Sequence, residues 1–307
     1  MRSTSLFYFA TLPALKPPRI TVIVLNWNGA ADTLRCLASL KAMAQPLPDI
    51  LVVDNHSGDD SVAQILRVHP ALTILQTGAN LGFGGGCNAG IRHALTQGAD
   101  YIWLLNNDTL VEADTLSAMV QTMAQHHTAG AVGSVIYDMD VPTRVQVWGG
   151  GQVQRWLGRA RPLRGPGEPA FISGASMLLR ADALRQVGLF DEQRFFMYWE
   201  DTDLGFRLRA RGWTLAVAPQ SRVWHRLSAS LGQGSAQLDT YFMRSAGDFC
   251  GYTPLAHRWP SPAWPAHCCS SGCSWGTGTG CVLSGKGCAA HERHINCPAR
   301  FGSDPLL

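Results

Sequence analysis

Short apolar runs alternate with helix-length amphipathic segments between positions 19 and 137 of the chain. The first run, ITVIVLN (20–26), is rich in β-branched residues, which is typical of a strand buried on both faces. Predicted strands cover 20–26, 50–54, 72–76, 101–105 and 131–136. Predicted helices cover 30–44, a segment that begins between 57 and 61, 88–97 and 112–125. Strands separated by helices indicate βαβ crossovers, so we expect an α/β fold with a mostly parallel central sheet and flanking helices.

Two of the predicted strands end in carboxylates. The second ends at Asp54-Asn55, and the fourth ends at Asn106-Asn107-Asp108. Ligands of such sheets bind beyond the carboxyl ends of the strands, so negative charge collects where a ligand should lie. Each aspartate alone can cap the helix that follows it. Together they favour a divalent cation, Mg²⁺ or Mn²⁺, which also binds the oxygens of a diphosphate.

A glycine-rich segment, NLGFGGGCN (80–88), precedes the predicted helix that follows the third strand. We expect a loop whose glycines let the backbone approach a ligand closely. Gly84, Gly86 and Ala89 also form a dinucleotide-binding fingerprint, with Asp108 further along, so a dehydrogenase is a rival hypothesis. Against it, about eight residues separate the preceding strand from the fingerprint, which normally follows its strand directly.

Three acidic residues begin a predicted helix directly after the aromatic run FFMYW (195–199): Glu200, Asp201 and Asp203. Negative charge in a first helical turn is favourable by itself, because it complements the positive end of the helix. The aromatic side chains would also close a partly dry pocket over these carboxylates. Desolvation there would raise a carboxylate pKa and make the group a better general base.

Two further segments contain candidate ligand-binding residues. The small residues SGAS (173–176), before a predicted strand at 177–179, offer backbone against which a ligand can lie. His225 is either a structural histidine or a ligand of a metal or phosphate.

Composition limits the functional classes. The chain has 307 residues with a net charge of +3, which is too small to indicate nucleic-acid binding. No apolar run reaches the ~18 residues that span a bilayer. Of nine cysteines, seven lie at or after position 250, so they do not describe a disulfide scaffold for the whole chain.

The two ends of the chain differ from its middle. Residues 1–19 are expected to form a loose leader, because they lack the clear apolar segment and cleavage site of a signal peptide. Residues 249–307 are rich in Cys, Gly and Pro and show no periodicity. A zinc site is disfavoured there because paired C-x-x-C spacings are missing. Two hypotheses remain for this tail: translation out of its original reading frame, or disorder.

Six motifs together resemble the family 2 inverting glycosyltransferases of the GT-A fold, and in particular their bacterial rhamnosyltransferase-like branch. The motifs are ITVIVLNWNG, VVDNHSGD, NLGFGGGCNAGI, LLNNDTLV, SGASMLLR and GLFDEQRFFMYWEDTDLGFRLRARGW. The resemblance implies a glycosyltransferase domain over 20–248, with a nucleotide-binding half (20–137) and an acceptor-side half (138–248).

The resemblance also assigns roles to individual residues. It implies that the pair Glu200-Asp201 supplies the catalytic base, with Asp201 favoured of the two, and that Asp108 and His225 hold Mg²⁺ or Mn²⁺. The implied nucleotide-sugar-binding residues are Asn26, Asn28, Asp54, Asn55, Asn80, Gly82, Asn88, Asn107 and Gly174. Asn106 stands where many relatives have Asp, which leaves one certain carboxylate for the metal, although an amide oxygen is also a metal ligand.

The implied reaction transfers a sugar, with rhamnose favoured, from a nucleotide-diphospho-sugar to a hydroxyl of a glycan or lipid-linked acceptor, with inversion. This is a step of bacterial cell-surface polysaccharide synthesis. We expect no nucleic-acid partner, and a cytoplasmic location with peripheral contact with the inner face of the plasma membrane. The alternatives are a non-catalytic nucleotide-sugar-binding protein, an inactive truncated transferase and, less favoured, the dehydrogenase.

Overall fold

A computed structural model describes residues 17–44, 47–154, 159–226 and 236–252. The strands are β1 (Ile20–Asn26), β2 (Asp49–Asp54), β3 (Thr73–Gln76), β4 (Tyr101–Asn106), β5 (Thr109–Val111), β6 (Ala129–Asp138), β7 (Val145–Trp148), β8 (Gly150–Gln154), β9 (Arg159–Pro162), β10 (Phe171–Ile172), β11 (Ser176–Arg180) and β12 (Thr214–His225). The helices are α1 (Ala30–Lys41), α2 (Ser61–Val68), α3 (Gly82–Thr96), α4 (Thr115–Gln125), α5 (Ala181–Val187), α6 (Glu200–Ala210) and α7 (Ala236–Tyr252).

Nine of the described strands form one sheet. Eight of them follow the order β3-β2-β1-β4-β11-β6-β12-β5, and the ninth strand, β7, also pairs with β6. β3, β2, β1 and β4 are parallel neighbours, and β12 is parallel to β6. β11 runs antiparallel between β4 and β6. The expected α/β fold with a mostly parallel central sheet and flanking helices is therefore confirmed.

The central sheet is buried on both faces, as the β-branched run of β1 predicts. Val22 and Val24 belong to an apolar cluster with α1 and α4. Ile23, which lies between them, belongs to a second cluster with α3, α5 and α6. Successive side chains of a strand point to opposite faces, so β1 contributes to the core on both sides of the sheet.

The glycine-rich segment is helical, so the predicted loop over 80–88 is wrong. α3 begins at Gly82, and two of its glycines, Gly86 and Gly90, lie against the sheet. A Cβ on Gly90 would lie 2.8 Å from Cγ2 of Ile23, and a Cβ on Gly86 would lie 2.5 Å from Cδ1 of Leu25. These glycines are present because α3 packs too closely on β1 for larger residues, a long-range contact that the local sequence does not show.

The same finding removes the support for the dehydrogenase hypothesis. Gly84 and Gly86 lie inside α3 and not in a turn that joins a strand to a helix. A dinucleotide fingerprint needs that turn, because the pyrophosphate binds at the start of the helix.

Smaller differences concern the ends of elements. α1 ends at Lys41 and not at 44, and α4 begins at Thr115 because the short strand β5 precedes it. The predicted leader lies mostly outside the described residues, as does the chain from 253 onward, which includes most of the cysteine-rich tail and the cysteines considered for zinc. In the described part of the chain, each helix is too short or too polar to cross a membrane.

Candidate functional site

The carboxyl ends of β1, β2 and β4 meet at one edge of the sheet. Asn26, the last residue of β1, pairs in register with Asp54 of β2. On the other side, Leu25 pairs with Asn106 of β4. The structure therefore brings together the strand ends that the sequence pattern selected.

Asp54 is buried and held by its neighbours. Its Oδ1 accepts hydrogen bonds from Asn26 Nδ2 (2.8 Å) and from Ser57 Oγ (2.6 Å), and its Oδ2 accepts one from the Ser57 backbone N–H (3.1 Å). Ser57 Oγ also accepts from the backbone N–H of Asn28, which has a φ of +51°. Asn28 is exposed, and its side-chain oxygen accepts from the backbone N–H of Gly58 (2.8 Å). The carboxylate therefore has a fixed orientation at the sheet edge.

Asn55 and Asn80 organise the segment that leads into α3. Asn55 Nδ2 donates to Asn80 Oδ1 (3.1 Å) and to the carbonyl of Gly82 (3.0 Å), and its Oδ1 accepts from the backbone N–H of Leu81 (3.1 Å). Gly82 has a φ of +72°, and a Cβ there would collide with the carbonyl of Phe196. These residues shape the wall of the site by internal hydrogen bonds.

Asn88 lies further from the sheet edge. Its Nδ2 donates to the carbonyl of Phe190 (2.8 Å) and to Glu192 (2.7 Å), and its Oδ1 accepts from the Phe190 backbone N–H (3.0 Å). The side chain is buried and joins α3 to the segment after α5. The structure thus shows Asn88 in an internal bridge.

Asp108 and His225 face each other beyond the ends of β4 and β12. Asp108 is buried, its Oδ1 lies 3.3 Å from Nε2 of His225, and that oxygen makes no hydrogen bond among the described residues. Nδ1 of His225 lies 2.8 Å from Oε1 of Gln146, and Nδ2 of Asn106 lies 3.2 Å from Nε2. Gln146 therefore holds the imidazole at Nδ1, and Nε2 lies within contact distance of both the Asp108 carboxylate and the Asn106 amide.

This arrangement fits a divalent cation. The buried Asp108 oxygen has no hydrogen bond among the described residues and lies beside an imidazole nitrogen, and carboxylate oxygens and imidazole nitrogens are both ligands of divalent cations. In the described residues, no group of three or more His, Cys, Asp or Glu is placed to hold a metal. The described residues that could hold a cation here are therefore Asp108 and His225, with Asn106 beside them.

Glu200 and Asp201 begin α6, directly after two strained residues. Tyr198 and Trp199 have φ values of +67° and +70°, a region that bulky side chains rarely adopt. Ser245 of α7 donates to the carbonyl of Met197 (2.9 Å). The ring of Trp199 lies 4.9 Å from that of Phe249 in α7, and Tyr198 packs on Phe242. α7 therefore braces the turn that sets the direction of the two carboxylates.

The two carboxylates have different surroundings. Asp201 Oδ2 accepts from the backbone N–H of Gly174 (3.1 Å), and its Oδ1 accepts from the N–H (2.6 Å) and hydroxyl of Thr202. Glu200 is buried, and its Oε2 makes no hydrogen bond among the described residues. Burial, followed by the charge of Asp201, raises the pKa of Glu200 well above its ordinary value.

Burial also raises the pKa of Asp201, although its three hydrogen bonds oppose the shift. Hydrogen bonds to the charged form favour ionisation, so Asp201 is the more readily ionised of the pair. Asp201 is also the more exposed of the two. An ionised, partly exposed carboxylate with a raised pKa can act as a general base.

The third acidic residue of the cluster has a structural role. Asp203 pairs with Nε of Arg207 at 2.7 Å. The guanidinium of Arg207 also donates to the carbonyls of Val187 and Leu189 (2.8 Å each). Asp203 thus holds α6 against the end of α5, although burial raises its pKa.

The Glu200-Asp201 pair and the Asp108-His225 pair are connected by contacts at the ends of β11 and β4. Gly174 contacts Asp201, and the carbonyl of the next residue, Ala175, accepts from the backbone N–H of Asn106 (3.0 Å). Asn106 in turn contacts His225. Asp201, Gly174, Asn106 and His225 therefore form one continuous edge.

Three residues at this edge were missed by the sequence analysis: Ser57, Thr33 and Gln146. Ser57 follows Asp54 by three positions within VVDNHSGD, so its hydrogen bond to that carboxylate is the kind of local signal that sequence can show. Thr33 lies in α1 and Gln146 in β7, and nothing in their local sequence predicts their contacts with strand ends.

Comparison with known proteins gives concordant results. The family profile described as "Glycosyltransferase like family 2" matches residues 17–240. An N-acetylglucosaminyl-diphospho-decaprenol L-rhamnosyltransferase of Mycobacterium tuberculosis is 29% identical over 248 residues, which are 71% of this chain and 79% of that protein. The galactofuranosyltransferase GlfT1 of the same species is 33% identical over 206 residues, which are 63% of this chain and 65% of that protein.

Solved structures with the same fold include two glycosyltransferases bound to Mn²⁺. A mannosyltransferase of Pyrobaculum calidifontis, in complex with GDP-Man and Mn²⁺, has a TM-score of 0.58 at 20% identity, covering 80% of this chain and 66% of its own. GalNAc-T7, with UDP, GalNAc and Mn²⁺, has a TM-score of 0.59 at 15% identity, covering 75% of this chain and 48% of its own. The family match covers most of the chain, and the chain is a family 2 glycosyltransferase with the GT-A fold.

Proposed function

We propose that the chain transfers a sugar, with rhamnose favoured, from a nucleotide-diphospho-sugar to a hydroxyl of a glycan or lipid-linked acceptor, with inversion at the anomeric carbon. The observation that carries this proposal is the pair Glu200 and Asp201 at the start of α6, beside Gly174 and one strand from Asn106. The choice of sugar and acceptor is supported by the similarity to the rhamnosyltransferase, whose name describes a diphospho-decaprenol acceptor.

The reaction is a single displacement in which Asp201 is the base. The acceptor hydroxyl gives its proton to a carboxylate oxygen of Asp201 while its oxygen forms a bond to the anomeric carbon. The bond between that carbon and the diphosphate oxygen breaks, and the electron pair leaves with the nucleoside diphosphate. Attack opposite to the leaving group inverts the configuration. The raised pKa of Glu200 opposes a second negative charge beside Asp201.

Asp108 and His225 would hold the divalent cation, Mg²⁺ or Mn²⁺. When bound, the ion would supply positive charge to the diphosphate leaving group. The proposal is supported by the buried Asp108 oxygen without a hydrogen bond and by Nε2 of His225, which lies 3.3 Å from it. We also propose that 20–137, with Asp54 and Asp108, is the nucleotide-binding half, and that 138–248, with Asp201, is the acceptor-side half.

A lipid-linked acceptor requires the catalytic edge to reach a membrane surface. We therefore also propose a cytoplasmic protein in peripheral contact with the inner face of the plasma membrane. Flotation with anionic phospholipid vesicles would test this, since a protein that stays entirely in the dense fraction would contradict it.

The activity is tested by release of nucleoside diphosphate from a panel of dTDP-, UDP- and GDP-sugars with MnCl₂. Wild type is expected to release diphosphate slowly from one donor without acceptor, and faster when a polyprenyl-diphosphate-linked N-acetylglucosamine is added. D108A should lose the dependence on MnCl₂. Wild type that binds a donor but never releases diphosphate would support the alternative, a non-catalytic binding protein. Wild type that neither binds nor cleaves any donor would refute the proposal.

A further inference from the structure

Thr33 of α1 lies between Asn26, the last residue of β1, and Asn107, the first residue after β4. Its side chain is completely buried. Its hydroxyl donates to Asn26 Oδ1 at 2.7 Å and accepts from Asn107 Nδ2 at 3.0 Å. One hydroxyl therefore joins the end of β1 to the segment beyond β4, next to Asp108.

The hydrogen bonds through Thr33 all donate in one direction, toward Asp54. A carboxylate oxygen accepts, so Asn26 turns its NH₂ to Asp54 (2.8 Å) and its oxygen to Thr33. Thr33 must then donate to Asn26, and Asn107 must present its NH₂ to Thr33. Such a chain of polarised hydrogen bonds has one consistent arrangement. Asp54 therefore determines which way the Asn107 amide faces.

This arrangement leaves the amide oxygen of Asn107 available to a ligand. The NH₂ group is committed to Thr33 and lies 3.5 Å from the carbonyl of Gly29. The Oδ1 atom accepts no hydrogen bond among the described residues, and the side chain is partly exposed beside Asp108. An amide oxygen can accept from a ligand hydroxyl or N–H, but it repels a phosphate oxygen.

We propose that Thr33 is a positioning residue for donor binding. Through Asn26, it couples the orientation of Asp54 to that of Asn107. In this orientation Asn107 offers its oxygen to a hydroxyl of the nucleotide sugar. The inference rests on the proposed function, because it places a nucleotide sugar at this edge. Replacement of the hydroxyl by a methyl group keeps the volume, removes both hydrogen bonds and lets the Asn107 amide turn over.

The test compares T33V and T33S with a matched control, T122V. Thr122 donates to the carbonyl of Ala118 within α4 (2.9 Å), so T122V removes a helical hydroxyl away from the sheet edge. Binding of dTDP, UDP and GDP in MnCl₂ is measured by calorimetry, and folding by thermal denaturation. We expect T33V to raise Kd about tenfold, T33S to bind within about twofold of wild type, and T122V to bind like wild type.

A double-mutant cycle with N107A separates coupling from a general loss of structure. N107A should weaken binding in wild type but add little in the T33V background, because the Asn107 amide is already misoriented there. T33V should also raise KM for the donor more than it lowers kcat. Additive effects, a T33S variant as weak as T33V, or a T33V variant that binds like wild type would each overturn the proposal. Wild type that binds none of dTDP, UDP and GDP would overturn the proposed function as well.

Discussion

The two parts of the candidate site, the strand ends around Asp54 and the start of α6, differ in whether their buried polar groups are hydrogen-bonded. At the strand ends, Asp54 and its neighbours have their hydrogen bonds satisfied, and the network holds them in one orientation. At the start of α6, Glu200 is buried with an oxygen that lacks a hydrogen bond, after two residues with positive φ. A satisfied network suits binding, because it is preorganised. A buried, strained carboxylate pair suits proton transfer, because its pKa values are shifted.

The largest expected effect is on turnover, and it concerns Asp201 at the start of α6. D201N keeps the volume of Asp201 but removes the base, so we expect kcat to fall about 10²- to 10⁴-fold. The Kd for dTDP or UDP should change little, since the strand ends are untouched. Steady-state kinetics and calorimetry on the same preparation measure both values. Full turnover in D201N would show that another group takes the proton.

A substitution at the strand ends should instead weaken binding and leave kcat little changed. D54N replaces one acceptor oxygen by an NH₂ group that must face either the Ser57 backbone N–H or the donors from Asn26 and Ser57 Oγ, so the network loses hydrogen bonds to a charged group. Such bonds are worth about 1.5–3 kcal/mol, which predicts a rise in Kd of about tenfold to a hundredfold. Calorimetric titration with the diphosphate measures it. A D54N variant with normal Kd but a low kcat would contradict the assignment of binding to the strand ends and of proton transfer to the start of α6.

A stability experiment tests the close packing of α3 on the sheet below the site. In G90A the new methyl group would meet the buried side chains of Ile23 and Val53 at 2.8–2.9 Å. Overpacking costs about 1–3 kcal/mol, which exceeds the gain of about 1 kcal/mol in helix propensity. G58A is the control, since no atom lies within 4 Å of its Cβ. Chemical denaturation should show G90A less stable than G58A, and equal stability would contradict this packing.

The smallest expected effect concerns pH. Glu200 has a pKa raised in the folded state, so the folded chain binds more protons than the unfolded chain above pH 4.5. The stability contribution of this group is therefore greatest at low pH and is lost as pH rises toward the folded pKa. E200Q removes this titration. The melting temperature of E200Q minus that of wild type should therefore increase from pH 5 to pH 8. Parallel pH profiles for the two proteins would contradict a shifted Glu200.

Local sequence predicted the strand ends well. β1, β2 and β4 end within one residue of the positions that their apolar runs indicate, because a polar residue that follows a buried run is a strong local signal. The same signal placed Asp54 and Asp108 at the sheet edge. The acidic start of α6 after an aromatic run was equally visible.

Contacts between distant segments could not be predicted in this way. The glycines of α3 were read as a loop because glycine favours turns locally, whereas their cause is the close approach of β1. Thr33 and Gln146 reach strand ends from α1 and β7. The positive φ of Trp199 depends on support from α7. Each of these features is set by packing between elements far apart in sequence.

The most direct test of the account is the anomeric configuration of the transfer product. Once the donor panel identifies the donor, the reaction can be followed by proton NMR with a donor of known configuration. A single displacement with Asp201 as base predicts a product of inverted configuration from the first turnover. A product that retains the donor configuration would contradict the proposed reaction.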